Sequence, residues 1–138
     1  MASSRRWVAL FIILLVISLA LGCQGERKSI EGRCDYDGVK IEPIYAVYFT
    51  LQDSIEKKFC SVACASLSFP ELKSRIKEVM VVDERSGTKI IAAQAFYVES
   101  EVVTVPHVKN RVHVFGNRDD AVKHLDKFKG RWVENPFR

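Results

Sequence analysis

Four cysteines, Cys23, Cys34, Cys60 and Cys64, carry most of the chemistry available to this sequence. Cys60 and Cys64 stand at i and i+4. On a regular helix such a pair faces one way with Cβ atoms about 5–6 Å apart. That is wider than the about 3.5–4.5 Å that a disulfide prefers. A soft metal, bonded to each sulfur at about 2.3 Å, spans the gap. Thiolates select Cu(I), and imidazole suits copper or zinc. Cys34, Cys60, Cys64 and His107 would make a Cys3His set, which zinc also accepts. Three readings of the thiols stand side by side: a soft-metal site, thiol redox chemistry at Cys60 and Cys64 with a thiolate favoured by a helix start, and plain burial, since free Cys packs like a small hydrophobe. His107, after Pro106 in a Val-rich loop, is either a ligand or a surface residue. His113 and His124 read as structural or solvated and Met80 as core, while Asp37 is either a harder oxygen ligand or, with Gly38, part of a turn, the turn being favoured. A Ser/His/Asp order, a Gly-rich phosphate loop and a paired-carboxylate motif are all missing, so no enzyme is expected.

The elements that must position these residues follow from local patterns. Tyr45 to Leu51 alternates apolar and polar positions, as a half-buried strand does. Gln52-Asp53-Ser54 turns the chain, and Ile55 to Phe59 returns as a second strand. Ser61 is an N-cap for a short helix carrying Cys64, with Pro70 marking a break or restart. Ile76 to Asp83 is a strand, Glu84 to Gly87 a turn, and Lys89–Ala92 and Ala95–Glu99 two short strands. Val112 to Phe115 is another strand. Asn117 caps a helix with Asp119 and Asp120 in its first turn, where carboxylates meet the positive end of the dipole. Gly130 closes that helix and Arg131-Trp132-Val133 is a last strand. The order strand, Phe, capped helix, strand occurs twice, as Phe59-Cys60-Ser61 and Phe115-Gly116-Asn117. The expected class is α+β: two small similar ββαβ-like halves divided near Asp83 to Ser86, each a small antiparallel or mixed sheet with one helix.

The chain of 138 residues opens with Arg5-Arg6 and an apolar run from Trp7. At about 15 residues the run is shorter than the ~20 that span a bilayer, which marks residues 1–22 as a cleavable signal. Ala20-Leu21-Gly22-Cys23 resembles a bacterial lipobox, in which Cys23 is acylated and anchors the protein to a membrane. Gln24, not Asp, follows it, which favours the outer membrane over the inner one for a periplasm-facing lipoprotein. Residues 23–33 are a polar tether, and residues 34–138 the metal-binding domain. With Cys23 lipidated, three thiols remain, an odd number that argues against a disulfide framework. Two of the 21 basic residues fall in the signal, leaving 19 against 17 acidic ones, a balance of +2. That excludes the electrostatic footprint of a nucleic-acid binder.

The run Lys58-Phe59-Cys60-Ser61-Val62-Ala63-Cys64 behind a lipobox resembles the NosL-type lipoproteins, accessory proteins for the copper centre of nitrous oxide reductase. Val82-Asp83, then Ser86-Gly87-Thr88-Lys89-Ile90-Ile91-Ala92-Ala93-Gln94-Ala95-Phe96-Tyr97-Val98, follows the family's later motifs, as does Phe115 before a capped helix. The likeness runs from Cys34 to Trp132. The Phe-Cys-Ser-x-x-Cys element alone is shared with small TRASH- and YHS-type metal modules. Two departures stand out. Where the family has Cys-x-x-Cys-Gly-Met, this chain has Cys34-Asp35-Tyr36-Asp37-Gly38-Val39, and a later Pro-Met is Pro106-His107. The resemblance implies a membrane-anchored carrier that delivers Cu(I) to a copper-requiring, nitrous oxide reductase-like apo-enzyme. The alternatives are an interaction or assembly lipoprotein with a degenerate site, or a thiol-redox protein using Cys60 and Cys64.

Overall fold

The computed structural model describes residues 31–138. The signal, Cys23 and all but the end of the tether lie outside the described residues. Gly32 and Arg33 already belong to the fold: Gly32 accepts a hydrogen bond from the Ile41 amide at 2.9 Å, and Arg33 bridges Lys40.

Among the described residues, seven strands and two α-helices follow in the order β1 (Val47–Leu51), β2 (Glu56–Phe59), α1 (Val62–Leu72), β3 (Ile76–Val82), β4 (Lys89–Ile91), β5 (Phe96–Ser100), β6 (Val112–Phe115), α2 (Arg118–Phe128) and β7 (Gly130–Val133). They form two antiparallel sheets, ordered β2-β1-β3-β4 and β6-β5-β7. The two halves share one plan. In each, the first strand lies in the middle, the second pairs on one side, and the chain passes through a helix to pair on the other side. The α+β duplication expected from sequence is therefore present, but β4 pairs with β3 in the first sheet, so the halves divide between β4 and β5 and not near Asp83 to Ser86.

Strand alternation fixes which side chains meet. β1 buries Val47, Phe49 and Leu51 and half-exposes Tyr48 and Thr50. Its register sets Val47 opposite both Phe59 and Val81, so three buried side chains share one face. The Phe49 ring meets Phe59 at 4.7 Å, Phe137 at 5.6 Å and Phe69 at 6.0 Å between centroids. Strand, helix and C-terminal tail are thus joined through one side chain, and burying a Phe contributes about 1.5–3 kcal/mol. The main core takes Cys34, Cys60 and Cys64 from the first half and Tyr97, Val105 and Val114 from the second. A smaller cluster of Val98, Phe115 and Ala121, with Phe96 and Leu125, lies under α2.

Both helices start at the expected caps. Ser61 Oγ accepts from the Cys64 amide, and Asn117 Oδ1 accepts from the Asp119 amide. Helix α1 runs through Pro70 and ends two residues later, then passes into a 3-10 turn at Lys73–Arg75. Gly130 does not close α2. Lys129 holds the positive-φ position (φ 51°) beyond the helix end, and Gly130 is the first residue of β7, paired with Ser100. A Cβ at Gly130 would run into the Glu99 carbonyl, so glycine is required for close strand approach. His113 is buried, its Nδ1 2.9 Å from Glu84 Oε2 and its Nε2 3.1 Å from Ser100 Oγ. His124 is half-buried against His113, Phe115 and Phe128. Both have structural roles here. Among the described residues, no helix is long and apolar enough to cross a membrane.

Candidate metal centre

Three chain segments converge on the start of α1. The first is the tight loop from Arg33 to Lys40. Its backbone closes with Cys34 N–H to Val39 O and Gly38 N–H to Cys34 O, both 2.8 Å. Gly38 takes the left-handed conformation (φ 75°), which glycine adopts without strain. The Val39 amide donates to Asp37 Oδ1 at 3.1 Å, so the Asp-Gly pair does form the expected turn. The second segment is the β2–α1 junction. Ser61 is extended (φ −164°, ψ 165°), which leaves Cys60 just outside the helix and Cys64 in its first turn. The i, i+4 pair is therefore not a regular helical pair, and its sulfurs approach to 3.5 Å while both remain free thiols. The third segment is the loop 104–110, whose 3-10 turn at Pro106–Val108 carries His107.

Two clamps hold these segments together. Asp35 and Lys58 bond across the first two segments, the Asp35 amide to Lys58 O at 2.8 Å and the Lys58 amide to Asp35 Oδ2 at 2.7 Å. Asn110, 2% exposed, joins the third to the helix start. Its Oδ1 accepts from the Ala63 amide at 3.2 Å, one of the donors a helix start leaves without an intrahelical partner. Its Nδ2 donates to Thr104 Oγ1 at 2.8 Å and to Val112 O at 2.9 Å.

The result is a compact donor cluster. Cys34, Asp37, Cys60 and Cys64 each offer one ligand atom, and the four lie within 4.8 Å of one another. Cys64 Sγ is 3.2 Å and Cys60 Sγ 3.7 Å from Asp37 Oδ2. All three thiols are buried. His107 is not one of the four, but its Nε2 stands 3.0 Å from Asp37 Oδ2 and 3.9 Å from Cys60 Sγ. A cleft of about 90 Å³ reaches Cys60 between Lys40 and Glu42 on one side and Thr104 and His107 on the other. Cys60 and His107 thus face the way in.

Electrostatics prepare the cluster for a cation. The hydrogen bond from Cys64 brings the Cys34 thiol down to about 6, against the opposing effect of burial and with help from nearby amides. Burial pushes Cys60 up to about 12. Cys64 is also raised, first by its bond to Cys34 and then by burial. Burial works against ionising Asp37, but the Val39 amide, the thiols and His107 outweigh it and hold the carboxyl at about 2. The Asp37 carboxylate therefore faces the thiols beside the positive end of α1, and thiol protons leave when a metal binds.

The structure brings Cys34, Cys60 and Cys64 together and sets His107 at their rim. Asp37 is the residue for which the sequence leaves an oxygen ligand and a turn both open, and the structure puts it both in the turn and beside the thiols. Its spacing, three after Cys34, was the available signal, since that is where the resemblance expects a second thiol. Asn110 had no signal in the sequence.

The architecture is similar to that of a solved protein. The crystal structure of the copper chaperone NosL from Shewanella denitrificans superposes with a TM-score of 0.64 and 20% identity, over 81% of this chain and 94% of that one. The chain has a NosL-like fold. No family model matches the sequence, and no curated protein does. The NosL-like likeness therefore rests on architecture.

Proposed function

We propose that this chain is a membrane-anchored, periplasm-facing copper-binding accessory protein, which carries one Cu(I) and delivers it to a copper-requiring apo-metalloenzyme. The observation behind this reading is the convergence of three buried sulfurs at a helix start in a NosL-like fold. Thiolates are the donors that select Cu(I). Cys60 and Cys64 dominate affinity, Cys34 contributes, and His107 at the cleft mouth contributes modestly. A carrier must also let go. The cleft beside Cys60 gives an acceptor's donor group a route to the ion, whereas a closed structural site offers none. The partner implied by the resemblance is a nitrous oxide reductase-like copper enzyme. Acylation of Cys23 would keep the carrier at the membrane, with the outer membrane favoured.

Anaerobic reconstitution with Cu(I), followed by elemental analysis, tests the reading on the full chain beside Cys60→Ser. One copper per wild-type chain, and loss of it in the variant, is the expected result. A wild type that retains no copper after desalting would reduce the chain to an interaction lipoprotein.

A further inference from the structure

We infer that Asp37 is a metal ligand, closing the three thiols into a four-coordinate S3O site that also takes a divalent ion, zinc(II). The inference uses the same cluster as the copper reading but does not depend on copper delivery.

The argument is geometric. Zinc bonds thiolate sulfur at about 2.3 Å and carboxylate oxygen at about 2.0–2.2 Å, so a zinc tetrahedron has edges of about 3.8 Å between sulfurs and about 3.5 Å between sulfur and oxygen. Cys60 Sγ and Cys64 Sγ are 3.5 Å apart, and Asp37 Oδ2 is 3.2 Å from Cys64 Sγ and 3.7 Å from Cys60 Sγ. Three edges of the tetrahedron thus stand within a few tenths of an ångström of their bonded lengths. Cys34 Sγ is within 4.8 Å of the other three atoms. A carboxylate in this place adds little for Cu(I), which thiolates alone satisfy, whereas zinc accepts mixed sulfur and oxygen sets.

The surroundings support Asp37 as a ligand. Its Oδ1 is held by the Val39 amide at 3.1 Å, which fixes the carboxylate plane and leaves Oδ2 aimed at the sulfurs. His107 Nε2, 3.0 Å from Oδ2, is placed as the hydrogen-bonding partner that orients a ligating carboxylate. The thiols are buried and the Asp37 side chain is 18% exposed, so access to the donor atoms is by the cleft beside Cys60 and His107.

The test is anaerobic titration of the full chain with zinc(II), and with cobalt(II) as its spectroscopic stand-in. Wild type should bind one equivalent of cobalt(II), with thiolate-to-cobalt charge transfer and the intense visible bands of a tetrahedral centre. Asp37→Asn keeps an oxygen for the Val39 amide but loses the anionic ligand. It should lower zinc affinity by at least about 100-fold, beyond the 10–100-fold typical of an outer partner, and change Cu(I) affinity by less than about 10-fold. His107→Ala should stay within the outer-partner range. X-ray absorption of zinc-loaded wild type should count three sulfurs and one lighter ligand, and His107→Ala should leave that count unchanged. This readout stands even where Asp37→Asn fails to fold. Octahedral cobalt, no stoichiometric zinc, or an Asp37→Asn variant that holds zinc as tightly as wild type would overturn the inference. Zinc without copper would sink the copper reading and leave this one standing, and copper without zinc would do the reverse.

Discussion

Asp35 and Lys58 exchange two hydrogen bonds, amide to carbonyl at 2.8 Å and amide to carboxylate at 2.7 Å, and this pair ties the Cys34 loop to the strand that ends beside Cys60. Asp35→Ala removes the charged acceptor of the half-buried Lys58 amide. Such a loss costs about 1.5–3 kcal/mol. The effect should appear twice, as a lower urea midpoint for the metal-free protein and as weaker metal binding, since the first and second thiol segments are then held by the backbone bond alone. Equilibrium unfolding and metal titration on the same variant check both. Unchanged metal affinity would show that the clamp serves the fold alone.

Asn110→Ala should be worse. The substitution takes the acceptor from the Ala63 amide and the Asn110 donor from Thr104 Oγ1 and the Val112 carbonyl, while Thr104 keeps its bond to the Asn110 backbone carbonyl, and a buried group left unsatisfied costs about 1–3 kcal/mol. A total near 3 kcal/mol is expected once the loop relaxes. Hydrogen exchange should locate the loosening in the loop 104–110 and the first turn of α1, with β1 and β3 spared. Uniform loosening would deny Asn110 its local role.

Local rules made much of the fold legible and stopped where contacts become long-range. Ser61 and Asn117 were readable as caps because a cap depends on its own next three residues. The alternation of Val47, Phe49 and Leu51 gave the buried face of β1 for the same reason. Gly130 was misjudged as a helix stop because its need for a missing Cβ comes from the Glu99 carbonyl on β5, a contact the local sequence does not contain. Asp37 was half-readable. One oxygen makes the turn that Asp-Gly announces, while the other faces thiols 23 and 27 residues away. Asn110 reaches across 47 residues to Ala63, and nothing near it in the chain hints at that.

The second half carries its own pH dependence. Burial, and then the neighbouring His113, bring His124 down from 6.5 to about 4 in the folded protein. Between those values the unfolded chain binds a proton that the folded one does not, so stability falls as pH falls. The contribution is complete above pH 6.5 and is lost progressively towards pH 4. For a half-exposed ring, solvent screening keeps it near about 1 kcal/mol. Urea midpoints measured across that window should fall more steeply towards pH 4 for wild type than for His124→Gln. Parallel curves would contradict the assignment to His124.

Copper binding through the thiol trio is the central claim, and an anaerobic competition titration against a Cu(I) chelator tests it most directly. Wild type should withdraw one Cu(I) from the chelator. The Cys60→Ser/Cys64→Ser double variant should withdraw almost none, Cys34→Ser should fall between them, and His107→Ala should lie close to wild type. If wild type competes no better than the double variant, the chain is not a copper carrier.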